Sequence, residues 1–483
     1  MIPSYDSSMI LAILPEILLL AFAGLILAID LIWRPSKHHN LAWISAGGFL
    51  VILVVTILFS RPEPAEGLIF GGMLRHDWPA FTFKLIFLFA AGITSLLSAD
   101  VRSAWGKGEY YALIAVTTLG MNMMAASSDL IMLYLAIETT SIPMYILAGF
   151  LKVDEKSTES GLKYFLFGAF TSAIMLYGFT LLFGFTGKTN IYQLAEALQA
   201  GELSPWVLGG SAILVLVGFG FKVSAVPFHF WSPDVYEGAP TPITAYISTA
   251  SKAAGFVVLV RVMLAAFPAI TEYWSSILAA MAVASMTLGN LIALAQKNIK
   301  RLLAYSSIAH AGYALIGLVA LSSFGAASLI FYLVAYVVTN LAAFAVVILF
   351  ARAAGSEEIS DYAGLSRRSP GLALALLVAF LSLAGMPPLA GFVGKFYVFA
   401  AAVQSDLIWL AFIGVINAII GLYYYLTVLK VVYLYRSEDE EVPIPVSRPA
   451  SLALVVCVLA IVVIGSLSGP WLDWAVDAAQ SLF

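Results

Sequence analysis

Apolar runs of about twenty residues recur fourteen times along this chain, and charged residues collect in the short stretches between them. A helix needs about 20 residues to cross the hydrocarbon core of a bilayer. Lipid offers no hydrogen bonds, so each crossing must satisfy its own backbone, which a helix does. The expected crossings lie near 9–33, 41–59, 80–99, 110–126, 128–150, 160–186, 205–230, 240–267, 273–294, 301–321, 325–351, 371–403, 406–435 and 450–472. The chain therefore reads as an all-α polytopic membrane protein. Its residues are 61% hydrophobic and 11% charged, where soluble domains hold about 45–50% and 25%.

A formal net charge of −4 leaves no basic surface for nucleic acid. The sole cysteine, Cys457, lies in an apolar run, so neither an intrachain disulfide nor a thiolate metal site is expected. The start, MIPSYDSSMI, lacks a basic segment and a small-residue cleavage site, so the first run reads as a retained span. Connections from odd to even spans hold Arg34, Lys37, Arg102, Lys107, Lys152, Lys156, Lys297, Lys300, Arg301, Arg352, Arg367, Arg368, Arg436 and Arg448. The other side holds only Arg61, Arg75 and Lys188. Basic loops stay in the cytoplasm, which puts both termini on the opposite side.

Three connections carry a pattern of their own. Residues 189–199 set Ile191, Leu194, Ala195 and Leu198 on one helical face, predicting a short interfacial helix. The Pro- and Gly-rich stretch 61–79 predicts a small hairpin. Residues 436–449, with Glu438, Asp439, Glu440 and Glu441 before three prolines, predict a solvated loop.

Two spans cannot be regular. Span seven contains Phe221-Lys222-Val223-Ser224-Ala225-Val226-Pro227-Phe228-His229, and span twelve contains Gly385-Met386-Pro387-Pro388 shortly before Lys395. Proline removes a donor and clashes with the preceding turn, and irregular backbone at membrane depth must be buried in protein or face water. Glu138 precedes Lys222 by 84 residues and His310 precedes Lys395 by 85. That spacing predicts two inverted five-helix repeats, with helices 7 and 12 discontinuous and the site near mid-membrane. The corresponding division is 1–108 (helices 1–3), 109–267 (helices 4–8), 268–436 (helices 9–13) and 437–483 (a cytoplasmic loop and helix 14).

Ionisable groups at bilayer depth cost roughly 2.5–3.5 kcal/mol each on insertion scales, so those in mid-span are the candidate site. Glu138 reads either as a protonated carboxyl bonded to a neighbouring hydroxyl or as a carboxylate held against a lysine of another helix. Burial disfavours a charged amine and a nearby carboxylate favours it, so the second arrangement makes a switchable proton site. Lys222 is too central to snorkel easily, Lys252 lies mid-span where it could hand a proton onward, and Lys395 follows the second break. His310 suits a relay because an imidazole titrates near neutrality. Lys163 lies nearer a span end, as a partner for Glu138 or as a snorkelling residue. His229, past the first break, is a candidate for a cytoplasmic entrance. Lys84, Arg261 and Lys430 read as span-end anchors, Glu16 and Asp30 as boundary residues or contacts to a partner helix, and His38-His39 as no metal site. No nucleotide-binding glycine motif or cluster-ligand set is present, so the energy must come from an ion gradient or a partner.

The stretch from Phe221 to Pro242, followed by Lys252, resembles the signature of the antiporter-like membrane subunits of respiratory complex I. Ile137-Glu138, Lys297 to His310 and Leu383 to Lys395 match that family in order, over almost the whole chain. Fourteen spans, lysine rather than glutamate at 395 and no long lateral C-terminal helix set the chain apart from the family's L and M branches. Thr139-Thr140 stand where relatives carry a Leu pair. The resemblance implies Glu138 and Lys163 near the first pair of a channel, and Lys222 as the central switching lysine. It makes Lys252 the link, Lys395 the terminal lysine, and His310 a member of the axis joining them. It implies proton export driven by electron transfer from NADH to quinone, with FMN, iron–sulfur clusters and quinone in partner subunits and no cofactor in this chain. The implied partners are antiporter-like subunit M and the small membrane subunits. The implied setting is a bacterial inner (plasma) membrane, with both termini periplasmic. Faces of spans one to three and fourteen are expected to dock on neighbours. A subunit of a multisubunit cation/proton antiporter remains the alternative, and a scaffold without ion flux a third.

Overall fold

The computed structural model describes residues 7–33, 40–63, 67–101, 106–199, 204–437 and 442–482. Arg34, Lys37, His38, His39, Arg102 and the acidic run 438–441 lie outside the described residues. Helices α1 (Ser7–Ala12), α2 (Leu14–Ile32) and α3 (Leu41–Phe59) lead into a two-stranded hairpin, β1 (Leu68–Ile69) and β2 (Leu74–Arg75), and then α4 (Trp78–Ser98). Next come α5 (Gly108–Ala126), α6 (Leu130–Ala148), α7 (Glu155–Thr186), α8 (Ile191–Gln199), α9 (Pro205–Val223), α10 (Trp231–Gly238) and α11 (Thr241–Tyr246). A π-helical turn, Ile247–Ser251, joins α11 to α12 (Lys252–Ala266). The chain continues through α13 (Thr271–Ala293), α14 (Ile299–Val319), α15 (Ser323–Ala354), α16 (Leu365–Arg368), α17 (Pro370–Ala384), α18 (Ala390–Gln404) and α19 (Ile408–Leu434). It ends in α20 (Arg448–Ser466) and α21 (Ser468–Gln480). Among the described residues, twelve helical segments are long and apolar enough to cross a membrane. The expected fourteen rests on two further assignments: α5, and α17 with α18 as one interrupted crossing.

The stretch from α5 to α12 and the stretch from α13 to α19 carry matching elements. Asp129 caps α6 by accepting the N–H groups of Ile131 and Met132, and Asn298 caps α14 by accepting those of Lys300 and Arg301. A helix start leaves such donors free, and Asp and Asn serve them well. Each cap residue also makes one isolated antiparallel bridge, Asp129 with Asn190 and Asn298 with Glu358. Both α7 and α15 have 32 residues and stop on a left-handed glycine, Gly187 (φ 65°) and Gly355 (φ 69°). An interrupted helix follows in each half: α9 stops at Ser224 (φ 57°) and α17 at Gly385 (φ 90°). The gaps hold cis bonds at Val226–Pro227 and Pro387–Pro388.

The two long helices face different surroundings. On α7 the buried positions form one stripe, including Ser157, Gly161, Tyr164, Gly168, Ser172 and Met175, at helical spacing. Small residues let backbones approach: a Cβ on Gly161 would lie 2.7 Å from the Gly149 Cα. Helix α15 is buried on all sides from Gly325 nearly to Phe350, as an all-round apolar helix must be. It is the axis on which the second half packs. Helix α8 buries Ile191, Leu194, Ala195 and Leu198, the face its spacing predicts.

Several sequence expectations change here. Lys84 and Arg261 are not span-end anchors, and of the two readings of Glu16 the contact to a partner helix holds rather than the boundary. The Lys84 Nζ lies 2.9 Å from a Glu16 carboxylate oxygen, both buried. Arg261 is forked on Asp77 at 2.8 Å on each oxygen and donates to the Ala125 carbonyl at 3.0 Å. Each partner comes from a distant part of the chain, so position along the span alone did not reveal it. Lys430 does lie exposed, over the Tyr435 ring. Span fourteen does not run to 472: α20 ends at Ser466 and α21 starts two residues later. Pro470 lacks an N–H and its ring excludes the helical carbonyl at 466, so the helix stops and turns. The Trp474 indole N–H then bonds the Thr82 hydroxyl at 2.8 Å.

Candidate functional site

Helix α6 supplies the first candidate. Glu138 is half-buried, and its Oε1 accepts the Ser172 hydroxyl of α7 at 2.6 Å. Ser141, nearly one turn further on, donates to the Ile137 carbonyl and accepts the Lys222 ammonium at 2.8 Å. Glu138 and Lys222 therefore make no direct ion pair; serines of α6 and α7 stand between them. A cleft lined by Ser141, Ser172, Tyr145 and Lys222 has about 10 Å³ of room for the centre of a water molecule. That is about the least a single water needs, and the hydroxyls offer it partners. Thr139 and Thr140 bond back to the carbonyls of Leu135 and Ala136 within their own helix. The Glu138 carboxylate is thus free of both.

Lys222 stands in the last turn of α9, packed closely against α12: a Cβ on Gly255 would lie 3.0 Å from the Lys222 Cγ. Lys252 follows the π-helical turn directly. Such turns are uncommon and concentrate at functional sites. The Lys252 ammonium donates to the Ser307 carbonyl at 2.8 Å and to its hydroxyl at 2.5 Å. Tyr336 donates to the same hydroxyl at 2.8 Å, and Asn340 bonds Tyr336 and Ser248 at 3.0 and 2.9 Å.

His310 lies nearly one turn beyond Ser307 on α14. Its Nδ1 is 2.6 Å from the Tyr332 hydroxyl and its Nε2 3.3 Å from that of Tyr425. Tyr425 also bonds Ser306. Lys395, on α18, donates to the carbonyls of Leu383 and Ala384 at 2.8 and 3.2 Å, and sits 4.7 Å from the centre of the Tyr313 ring. The Tyr313 ring in turn meets His310 edge-on at 5.7 Å. Lys222, Lys252, His310 and Lys395 are all buried. The structure thus gathers them along one polar row between α6 and α18.

Two candidates fall elsewhere. Lys163 does not pair with Glu138: its amine bonds Asp234 at 2.6 Å and Glu159 at 2.7 Å, at the end that holds Lys156 and Arg301. Burial by itself would raise the carboxyls of Asp234 and Glu237. Hydrogen bonds from Lys163 and Arg301 to the first, and from Lys156 and Arg301 to the second, hold both below the usual carboxylate range. His229 is buried beside Phe230, and the charged cleft at that end is lined by Lys156, Glu159, Lys163, Asp234, Glu237 and Arg301 without it. The sequence reading missed Ser307 and the tyrosines. A signal for them existed, since Tyr332, Tyr336 and Asn340 recur every fourth residue on an otherwise apolar helix.

A helical membrane bundle with two interrupted helices and a buried row of amines has the build of an antiporter-like membrane subunit. The chain belongs to the family described as NADH:quinone oxidoreductase/Mrp antiporter, TM, whose pattern matches residues 127–421. It is 44% identical over 470 residues to NADH-quinone oxidoreductase subunit N of Moorella thermoacetica, covering 97% of this chain and 98% of that one. The subunit of the same name from Dehalococcoides mccartyi is also 44% identical, over 94% of this chain and 95% of its own. A chain of respiratory complex I from Thermus thermophilus superposes with a TM-score of 0.80 at 34% identity, covering 95% of this chain and 98% of that one. A chain of the Mrp complex from Dietzia sp. shares the fold, with a TM-score of 0.82 at 21% identity over 99% and 98%.

Proposed function

We propose that the chain is an N-type proton-translocating membrane subunit of a bacterial NADH:quinone oxidoreductase, and that it carries protons out of the cytoplasm along the buried row. The observation that carries this reading is the gathering of buried amines beside hydroxyls and aromatic rings: Glu138 bonds Ser172, Lys222 bonds Ser141, Lys252 bonds Ser307, which Tyr336 also bonds, His310 bonds Tyr332, and Lys395 lies over the Tyr313 ring. A hydroxyl both accepts and donates, and a neutral imidazole has one nitrogen of each kind. Such groups pass protons between amines that cannot touch.

Lys222 switches according to how near the charge on Glu138 stands, Lys252 hands on through Ser307, and His310 relays to Lys395. An ammonium has three N–H groups and a neutral amine two. At Lys395 two of them hold the Leu383 and Ala384 carbonyls in either state, so the mobile proton is the one toward Tyr313 and His310. Lys163 belongs to the charged cytoplasmic mouth with Asp234, and His229 to the buried wall behind it.

In this reading FMN, iron–sulfur clusters and quinone belong to partner subunits, and this chain has no redox centre of its own. The inverted repeats are 109–267 and 268–436, supported by their matching caps, glycine stops and interruptions. Helices 1–3 (1–108) precede them, and the loop with the last helix (437–483) follows. Both termini lie in the periplasm, supported by the basic loops. Pro227 and Phe230 at the first interruption, and Met386, Pro387 and Pro388 at the second, are exposed on this chain. Irregular backbone is not left open to lipid, so antiporter-like subunit M or the small membrane subunits cover these faces.

The test is Lys222→Ala in inverted membrane vesicles, with NADH oxidation and proton uptake measured together. Proton uptake per NADH should fall severalfold in an intact complex. Unchanged uptake with intact assembly would sink the proposal, and purification without flavin and iron–sulfur subunits would move the chain to the cation/proton antiporters.

A further inference from the structure

Helix α15 presents Tyr332, Tyr336 and Asn340 to the polar row. Its back, including Ile330, Val334 and Val338, lines a cleft of about 350 Å³. The remaining walls come from α3 (Ile57), the first half of α4 (Thr82), α20 (Ala460), and Trp471 and Trp474 of α21. Among the described residues that line it, Thr82 alone carries a hydroxyl, and that hydroxyl is engaged by the Trp474 indole. A ligand that needed hydrogen bonds would lose them here; hydrocarbon loses nothing.

Depth narrows the choice further. The cleft takes the later halves of α3 and α20 and the earlier halves of α4 and α15, so it belongs to the leaflet away from the basic loops. Ile330 to Val338 advance about 12 Å along α15, close to the roughly 15 Å that one leaflet contributes to the hydrocarbon core. A cation stands above the rim: Arg61, exposed, lies one turn past Ile57 with its guanidinium 5.0 Å from the Trp78 ring centre. From Trp78 the aromatic contacts run to Phe81 (5.7 Å) and on to Trp474 (6.5 Å) at the cleft itself. Tryptophan belts of this kind mark the headgroup level.

We propose that this cleft holds one acyl chain of an anionic phospholipid from that leaflet, with its phosphate against Arg61. The occupant braces the back of the helix whose front carries Tyr332 and Tyr336.

The test uses the chain in its native assembly, purified in mild detergent, with native mass spectrometry after adding dioleoylphosphatidylglycerol. Ala460→Phe and Leu53→Phe fill the cleft from two separate walls. Arg61→Glu, at an exposed position, reverses the charge without disturbing the core. The unaltered assembly should retain one phosphatidylglycerol more than either filling variant. Arg61→Glu should lower the preference for phosphatidylglycerol over phosphatidylcholine by about two- to fivefold, the range an exposed charge pair supplies. Equal retention in whichever filling variant assembles overturns the acyl site, and an unchanged preference in Arg61→Glu overturns the headgroup contact. A partner-subunit helix cross-linked to Ala460→Cys overturns both.

Discussion

At the first interruption α9 gives way to α10 across Ser224–Phe230, with Lys222 on the near side. At the second, α17 gives way to α18 across Gly385–Leu389, with Lys395 on the far side. The freed backbone of the first is served by neighbours. The Trp231 indole donates to the Phe221 carbonyl at 3.2 Å, and the Val226 N–H donates to Ser285 at 2.9 Å. Lys222 is left to reach across to Ser141 on another helix. At the second, the amine is itself the donor that serves the carbonyls of Leu383 and Ala384. One lysine rests on a side chain alone; the other also serves the freed carbonyls of its broken helix.

That contrast is open to direct attack. The largest effect should come from Lys395→Met, which strands two buried carbonyls at about 1–3 kcal/mol each. Lys222→Met strands none, because Ser141 keeps its bond to Ile137. Thermal dissociation of the purified complex should therefore come markedly earlier for the first variant than for the second. Equal midpoints would erase the distinction.

A middle-sized effect concerns the turn residues. Gly385 at φ 90° has the Lys395 Cδ 3.1 Å from where a Cβ would stand, whereas Ser224 holds φ 57° as a non-glycine. Gly385→Ala should cost about 1–2 kcal/mol and disturb Lys395, while Ser224→Gly should be neutral or slightly stabilising. The same dissociation assay measures both, and a stabilising Gly385→Ala would contradict the geometry.

The smallest effect is expected at the mouth beyond the first interruption, where α10 carries Asp234 and Glu237 and α18 carries no acidic residue. Asp234→Asn leaves Lys163 with Glu159 and Arg301 with Glu237, so proton uptake should fall by less than about twofold. Both carboxyls titrate below their ordinary range. Their pairing is therefore complete above the usual carboxylate range and fades only as pH falls below it. Proton uptake should show no step from this cluster between about pH 5 and 8. A step in that window that disappears in Asp234→Asn would refute the assignment.

The interruptions and their lysines were legible in the sequence because they are local events: proline and glycine beside a charge inside an apolar run. The hairpin at 68–75 and the buried face of α8 were legible for the same reason. Arg261 and Lys430 show the limit. Both look alike along the chain, yet one is forked on Asp77 in the core and the other lies exposed over Tyr435. Glu138 and Lys163 were expected as partners, and the helices instead set Ser172 and Asp234 against them.

By itself the sequence determined where the chain must be helical, where helix must fail and which charges lie deep, since each follows from hydropathy and backbone chemistry within a turn or two. Tertiary structure alone decided who meets whom: Ser141 under Lys222, Ser307 under Lys252, Tyr332 and Tyr425 about His310, two main-chain carbonyls under Lys395. Those choices depend on which faces of separate helices come together, and the packing of small residues and buried aromatics across the bundle sets that.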